Sequence, residues 1–327
     1  MKILIIRLSS IGDIVLTSPA IRCLAEQTEH EIHYLTKEQN ISLLEYNPHI
    51  KKVIAFKGNI KETAKMLKTE KYDYIIDLHH NLRSTALKAK LHIPSSYLRK
   101  LDFKKWLYVT FKINLLPKKH VVDRNIETLK RFKVKNDNKG LDFFLSNEIL
   151  PETIALPDKY FVFAIGTQHF TKTIPADYIT KIIKSVNNIY PVLLIGGNKE
   201  IETGKQIVSA CENVFNYVGE LSLQQSATLI NKSEFVFSGD TGMMHIAAAL
   251  KKNLISLWGS TSPELGISPY FPAGFKGINH FLERKDLKCH PCSKIGRRRC
   301  PRKHFNCVKY TDAQISEIKE IIQKELK

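Results

Sequence analysis

The chain has 327 residues, 43% of them hydrophobic and 25% charged, which suits two α/β domains of about 150 residues better than one core. Fifty Lys and Arg against 32 Asp and Glu give a net charge of +18, a field that favours nucleic acid, anionic lipid or a phosphorylated substrate. No apolar stretch approaches the ~20 residues of a bilayer span, and the run before Arg7 is too short for a signal peptide, so a cytoplasmic protein is expected.

Hydrophobic patterning alternates between strand and helix, which predicts parallel sheets covered by helices. In the first half, strands are expected at residues 3–7, 31–35, 53–56 and 74–78, with helices at 14–27, 41–46, 60–69 and 84–89. The second series runs strand 160–165, helix 176–187, strand 192–195, helix 200–210, strand 214–218 and helix 222–231. It ends with strand 234–238, a helix after Asp240 and strand 253–257. Residues 137–158 carry Gly140, Pro151 and Pro157 without periodicity and read as a linker. An amphipathic helix closes the chain, with Ile315, Ile318, Ile321 and Ile322 on one face. Rossmann-like domains over 1–150 and 151–310 follow, with 311–327 as a terminal helix. Ligands of open α/β sheets bind beyond the carboxyl ends of the strands, which singles out the loops 8–13 and 239–242.

The later loop is the more informative. Ser238-Gly239-Asp240-Thr241-Gly242-Met243-Met244-His245 turns from a buried strand into an alanine-rich helix, aiming free N–H groups and the positive dipole end above the sheet. Asp240 suits the N-cap and Gly242 lets a ligand approach the backbone, so the segment reads as a phosphate cradle. His245 shares a helix face with Thr241 and could bond a sugar or phosphate; the plain alternative is a packed helix histidine. The earlier loop, Arg7-Leu8-Ser9-Ser10-Ile11-Gly12-Asp13, has a single glycine. It therefore matches neither G-x-G-x-x-G nor a Walker loop, and a dehydrogenase or P-loop kinase loses its main support. Asp13, where a helix begins, either caps that helix or accepts the proton of an attacking substrate hydroxyl.

R-L-S-S-I-G-D-I-V-L-T-S-P-A, then K-T-I-P, then S-G-D-T-G-M-M-H-I-A-A-A-L and L-W-G-S-T-S-P, in this order, resemble the bacterial ADP-heptose:lipopolysaccharide heptosyltransferases, glycosyltransferase family nine. The resemblance covers nearly the whole chain and implies a GT-B fold, two Rossmann-like domains facing each other across a cleft. It further implies inverting, metal-independent transfer of heptose from ADP-heptose to a lipopolysaccharide inner-core (lipid A–Kdo/heptose) acceptor, at the cytoplasmic face of the inner membrane. By resemblance Asp13 is the base and Lys172 neutralises the donor diphosphate. Asp240, Thr241, Gly242 and His245 form the donor loop, joined by Gly12 and, on the nucleoside side, Glu200. A departing nucleoside diphosphate develops negative charge, which Lys172 and helix N–H groups can hold without a divalent ion. The plain readings are a solvated loop lysine for Lys172 and a first-turn helix acid for Glu200. Ile174 stands where the family more often has Trp, so the packing around the lysine is expected to differ.

Residues 100–112 mix lysines with Phe103, Trp106, Tyr108 and Phe111, a composition suited to a membrane interface and also to a half-buried helix with a solvated lysine face. Ser10, Arg83, Lys104 and Lys105 are candidate contacts for acceptor phosphates. Cys289, Cys292, Cys300 and Cys307 lie in or just after a stretch, 284–303, that holds nine Lys and Arg. The C-x2-C half fits a structural zinc knuckle; the irregular remainder fits reduced thiols in a basic loop. Cys23 and Cys211 read as small core residues. Expected partners are ADP-heptose, an anionic glycolipid and an anionic membrane surface, with no catalytic cofactor, no nucleic acid and a monomeric chain. One alternative is a family member using another nucleotide sugar for O-antigen or capsule glycan. A distant one is a basic nucleic-acid-binding protein with a zinc knuckle, for which no RNP, helix-turn-helix or paired-finger spacing speaks.

Overall fold

Met1–Leu101, Pro117–Ser146 and Tyr270–Ala273 form one unit of the computed structural model, and Asp102–Leu116, Asn147–Pro269 and Gly274–Lys327 form the second. Residues 1–152, 154 and 156–326 are described; positions 153 and 155 of the expected linker and 327 of the expected terminal helix lie outside the described residues. Compared with one break at 150, segment 102–116 goes with the second unit and 270–273 with the first.

In the first unit, β1 (Lys2–Ile6), β2 (Glu31–Lys37), β3 (Lys52–Phe56), β4 (Tyr74–Asp77) and β5 (Ser95–Tyr97) form an all-parallel sheet in the order β3-β2-β1-β4-β5. Ile3, Leu4, Ile5 and Ile6 are all fully buried, as expected of a central parallel strand covered on both faces. The helices are α1 (Ile11–Val15), α2 (Ser18–Gln27), α3 (Ile60–Thr69) and α4 (Leu82–Leu91), then, after α5 (Asp102–Phe111) of the second unit, α6 (Val121–Glu127).

Three expectations are corrected here. The single helix over 14–27 is broken, because Pro19 has no N–H and its ring crowds the carbonyl of Val15; α1 stops there and α2 restarts at Ser18. The helix over 41–46 is instead a 3-10 turn, Glu38–Leu43, whose Asn40 amide donates to the Leu8 carbonyl at 3.0 Å and pins it to the first loop. The linker does not begin at 137. Arg22, buried in α2, pairs with Asp137 at 2.8 Å and with Asp142, and donates to the Gly140 carbonyl at 2.9 Å. Gly140 has φ +77°, and a Cβ there would lie 2.6 Å from the Pro272 nitrogen, so the segment is packed into the first unit.

In the second unit, β6 (Phe161–Ala164), β7 (Val192–Ile195), β8 (Val214–Asn216), β9 (Phe235–Gly239), β10 (Asn253–Trp258) and β11 (Asn279–Glu283) are all parallel, in the order β11-β10-β9-β6-β7-β8. Counted from β6 this is 3-2-1-4-5-6, the doubly wound order of dinucleotide-binding sheets. Its helices are α5, α7 (Ala176–Val186), α8 (Ile201–Ala210), α9 (Leu223–Lys232), α10 (Gly242–Ala249) and α11 (Asp312–Glu325). Phe163 and Phe237 stack at 5.3 Å in the core, and α11 buries Ile315, Ile318 and Ile322 in the same cluster. Each sheet therefore has one switch point, where successive crossovers leave in opposite directions: β1/β4 in the first unit, β6/β9 in the second.

Candidate active site

At the β6/β9 switch point of the second unit, the loop after β6 carries Lys172 and the loop after β9 carries Asp240. Lys172 Nζ lies 2.7 Å from Asp240 Oδ2, which also accepts the Thr261 hydroxyl at 2.7 Å. Thr241, not Asp240, is the N-cap of α10, with extended φ −141° and ψ 178°. The carboxylate of Asp240 is drawn away from the helix end by Lys172 and Thr261, which corrects the expected cap. The helix opens at Gly242, so its first N–H groups belong to the cradle segment. His245 is buried one turn further on.

The turn that bears Lys172 is held by residues far along the chain. Thr171 Oγ1 meets Ser260 Oγ at 2.8 Å and accepts the Arg297 N–H at 2.7 Å, while the Thr171 N–H donates to the Arg297 carbonyl at 3.1 Å. Ser260 in turn accepts the N–H groups of Cys292 and Ser293, both at 3.0 Å. Close packing leaves no room for side chains at two glycines. A Cβ on Gly259 would lie 2.7 Å from the Thr171 carbonyl, and one on Gly296 2.5 Å from His169 Cβ. The cysteine-bearing loop is thus the backing of the lysine turn, a role that no local pattern signalled. Ile174, in place of the family's more usual Trp, is buried in the core, and Pro175 caps α7. Glu200 accepts the Gly197 N–H at 3.1 Å, and both Gly166 and Gly197 leave the space beside its carboxylate free of side chains.

All four clustered cysteines are free thiols, with Cys289 Sγ 3.6 Å from His304 Nε2. Burial and the neighbouring thiols push Cys307 up to about 12. Among the described residues no three His, Cys, Asp or Glu side chains converge as a metal-holding set.

At the β1/β4 switch point of the first unit, Asp13 is the third residue of α1. Its Oδ2 accepts the Ser10 N–H at 3.1 Å and hydroxyl at 2.8 Å, closing a capping box in which Ser10 is the N-cap. Arg7 Nη2 lies 2.7 Å from the same oxygen, yet the Asp13 side chain is still 38% exposed. Burial raises the carboxyl pKa, but Arg7 and the Ser10 hydrogen bonds outweigh it and hold it at about 2. Gly12 is buried within α1.

Beside this loop is a residue that sequence reasoning missed. Buried Asp77 ends β4 and accepts the N–H groups of His79 at 3.1 Å and His80 at 2.7 Å, turning the chain toward the switch point. Burial, then the charges of Arg7 and Lys100, push the His79 ring down to about 4, so it is neutral at pH 7; its Nδ1 has no hydrogen-bond partner among the described residues. The signal available was a His-His pair directly after a strand. Of the candidate acceptor contacts, Ser10 and exposed Arg83 belong to the first unit, and Lys104 and Lys105 to α5 of the second.

The family model of glycosyltransferase family 9 (heptosyltransferase) matches residues 60–294, well over half of the chain. Lipopolysaccharide heptosyltransferase 2 of Salmonella typhimurium is 36% identical over 84 residues, 24% of this chain and 24% of that protein. Lipopolysaccharide heptosyltransferase 1 of Escherichia coli is 25% identical over 290 residues, 81% of this chain and 90% of that protein. Among solved structures, the family 9 glycosyl transferase from Veillonella parvula superposes with a TM-score of 0.78 at 22% identity, covering 99% of this chain and 97% of that one. E. coli heptosyltransferase WaaC with ADP gives 0.68 at 21% identity, covering 99% and 100%. The two parallel-sheet units are those of GT-B heptosyltransferases. The chain belongs to glycosyltransferase family 9, the heptosyltransferases.

Proposed function

We propose that this protein transfers heptose from ADP-heptose to a lipopolysaccharide inner-core acceptor, with inversion at the anomeric carbon. The observation that carries the reading is the Lys172–Asp240 pair beside the N-terminus of α10, at the switch point of a 3-2-1-4-5-6 sheet. That is where a diphosphate is held in this class of sheet. The relatives are named as lipopolysaccharide heptosyltransferases, and one neighbour was solved with ADP-2-deoxy-2-fluoro heptose.

In this reading the acceptor hydroxyl oxygen attacks the anomeric carbon, its proton passes to Asp13, and the bond from that carbon to the β-phosphate oxygen breaks. Lys172 and the first amides of α10 take up the charge that develops on the departing ADP, so no divalent ion is needed. Thr241 and Gly242 border the diphosphate, His245 supports that helix turn, Glu200 faces the nucleoside, and Gly12 allows close approach beside Asp13. Ser10, Arg83, Lys104 and Lys105 serve the phosphorylated acceptor. The net charge of +18 favours a monomeric enzyme working at the anionic cytoplasmic face of the inner membrane. No helix among the described residues is long and apolar enough to cross a membrane.

The test is an assay of purified protein with ADP-heptose and truncated lipopolysaccharide acceptors, with and without EDTA. Heptosylated product at equal rates in both is expected. Turnover of a UDP- or GDP-sugar in place of ADP-heptose would transfer the reading to another glycan, and strict Mg²⁺ dependence would remove Lys172 and the helix as sufficient charge carriers.

A further inference from the structure

One side of α5 is left bare. The helix buries Tyr108 and Val109 against Leu265 of its own unit, and the Tyr108 hydroxyl donates to Glu264. Its other side carries Phe103, Trp106 and Phe111, which are 68%, 44% and 56% exposed. The rings form a continuous ridge: Phe103 stacks on Trp106 at 5.9 Å, and Trp106 meets Phe111 edge-on at 5.3 Å. Ile113 and Leu115, just after the helix, are exposed as well, so five of the fourteen large apolar side chains exposed among the described residues fall within 103–115. Such clustering marks an interaction surface, whereas single exposed apolar residues do not.

The border of the ridge is cationic. Lys104 and Lys105 lie on the helix itself, and the loop 287–303, with seven Lys and Arg and no Asp or Glu, is tied to both helix ends. Lys294 pairs with Asp102 at 3.0 Å at the helix start, and Lys112 donates to the Cys289 carbonyl at 2.9 Å beyond its end. The one acid on the helix is thereby matched by a cation.

We propose that this face docks on an anionic lipid bilayer, with Phe103, Trp106 and Phe111 entering the interface and the 287–303 loop resting on the headgroups. Aromatic rings set among lysines suit the boundary between headgroups and acyl chains. A second copy is disfavoured, because an isologous contact would oppose two strongly basic loops. Single-stranded nucleic acid would use the rings for stacking but has no use for bare Ile113 and Leu115. This docking face deepens the membrane setting of the proposed function and rests on it, sharing Lys104 and Lys105 with the acceptor contacts proposed there. Its test needs neither donor nor acceptor, so it can fail while transfer of heptose stands.

The experiment exploits the two tryptophans, since Trp258 is fully buried and Trp106 reports the face alone. Full-length protein is mixed with vesicles of phosphatidylethanolamine and phosphatidylglycerol, or of phosphatidylcholine only. Expected are a blue shift of tryptophan emission and quenching by lipids brominated on the acyl chain, with the anionic vesicles and at low salt. The pair Phe103→Ser and Phe111→Ser should raise the vesicle concentration for half-binding by about tenfold or more, with ADP binding and Tm unchanged. Brominated-lipid quenching of the unsubstituted protein decides the matter even if that variant folds poorly. The proposal is overturned if anionic vesicles leave the emission unaltered, if the folded double variant binds them as well as the parent, or if a short oligonucleotide or protein concentration alone produces the change.

Discussion

The few bonds that make Asp13 part of the α1 capping box also surround the carboxylate proposed as the base. An aspartate at about 2 is ionised across the physiological range but is a weak proton acceptor, so Arg7 sets its strength as well as its charge. Asp13→Asn keeps the hydrogen-bonding shape and removes the acceptor. It is expected to retain ADP affinity within about twofold while kcat falls by about 10²–10⁴; unchanged turnover excludes Asp13 as base. Arg7→Gln should let the carboxyl rise toward its ordinary 3.8. Because the folded value lies below the ordinary one, Asp13 adds stability above about pH 4, and that contribution is lost as pH falls toward 2. Acid unfolding of Arg7→Gln, followed by circular dichroism, should therefore begin at higher pH than in the parent. His79, held neutral at pH 7, is not expected to add a titration near neutrality to the kcat/KM profile, which a pH series on His79→Gln checks by its unchanged shape.

Elements were legible where a signal is local. β1, β6, β7 and β9 are short runs of buried apolar residues, and α3 keeps its apolar spacing from an Asn59 cap to Thr69. β5 and β11 were not, because strands such as Ser-Ser-Tyr and Asn-His-Phe-Leu-Glu exist through pairing with a sheet already built. In the same way Asp13, Lys172 and Asp240 could be found from motifs, whereas the backing of Lys172 by 259–297 joins parts of the chain more than eighty residues apart. That backing is open to test beside the lysine itself. Lys172→Met removes the charge and leaves the buried Asp240 carboxylate with Thr261 alone, so nucleotide affinity should drop by about tenfold or more and Tm should fall as well. Gly259→Ala inserts a methyl where 2.7 Å is available to the Thr171 carbonyl, and should cost about 1–3 kcal/mol of stability as well as weakening nucleotide binding. Calorimetric titration with ADP beside a thermal melt reads both effects; a Gly259→Ala protein with parental Tm and affinity contradicts the role given to the loop.

Across the whole molecule the two units repeat one design, a parallel sheet whose switch point carries a charged loop, and the composition adds a surplus of 18 positive charges to it. A surplus of this size acts beyond contact distance, but only within a Debye length, about 10 Å at 0.1 M salt and about 3 Å at 1 M. Its effect should differ between substrates. A phosphorylated acceptor spread over an anionic surface presents many charges and gains most from steering, which accelerates encounter by about 10–10³. A nucleotide sugar carries few charges and, in the proposed site, would be held at short range by Lys172 and the α10 amides, where salt screens little. Raising NaCl from about 0.05 to about 0.5 M is therefore expected to lower kcat/KM for a vesicle-borne acceptor by about tenfold, while the KM for ADP-heptose with a short uncharged acceptor moves by less than about twofold. Steady-state kinetics with the two acceptors side by side is the measurement. An equal loss for both would place the salt-sensitive step in the donor site and leave the surplus charge without a role in acceptor capture.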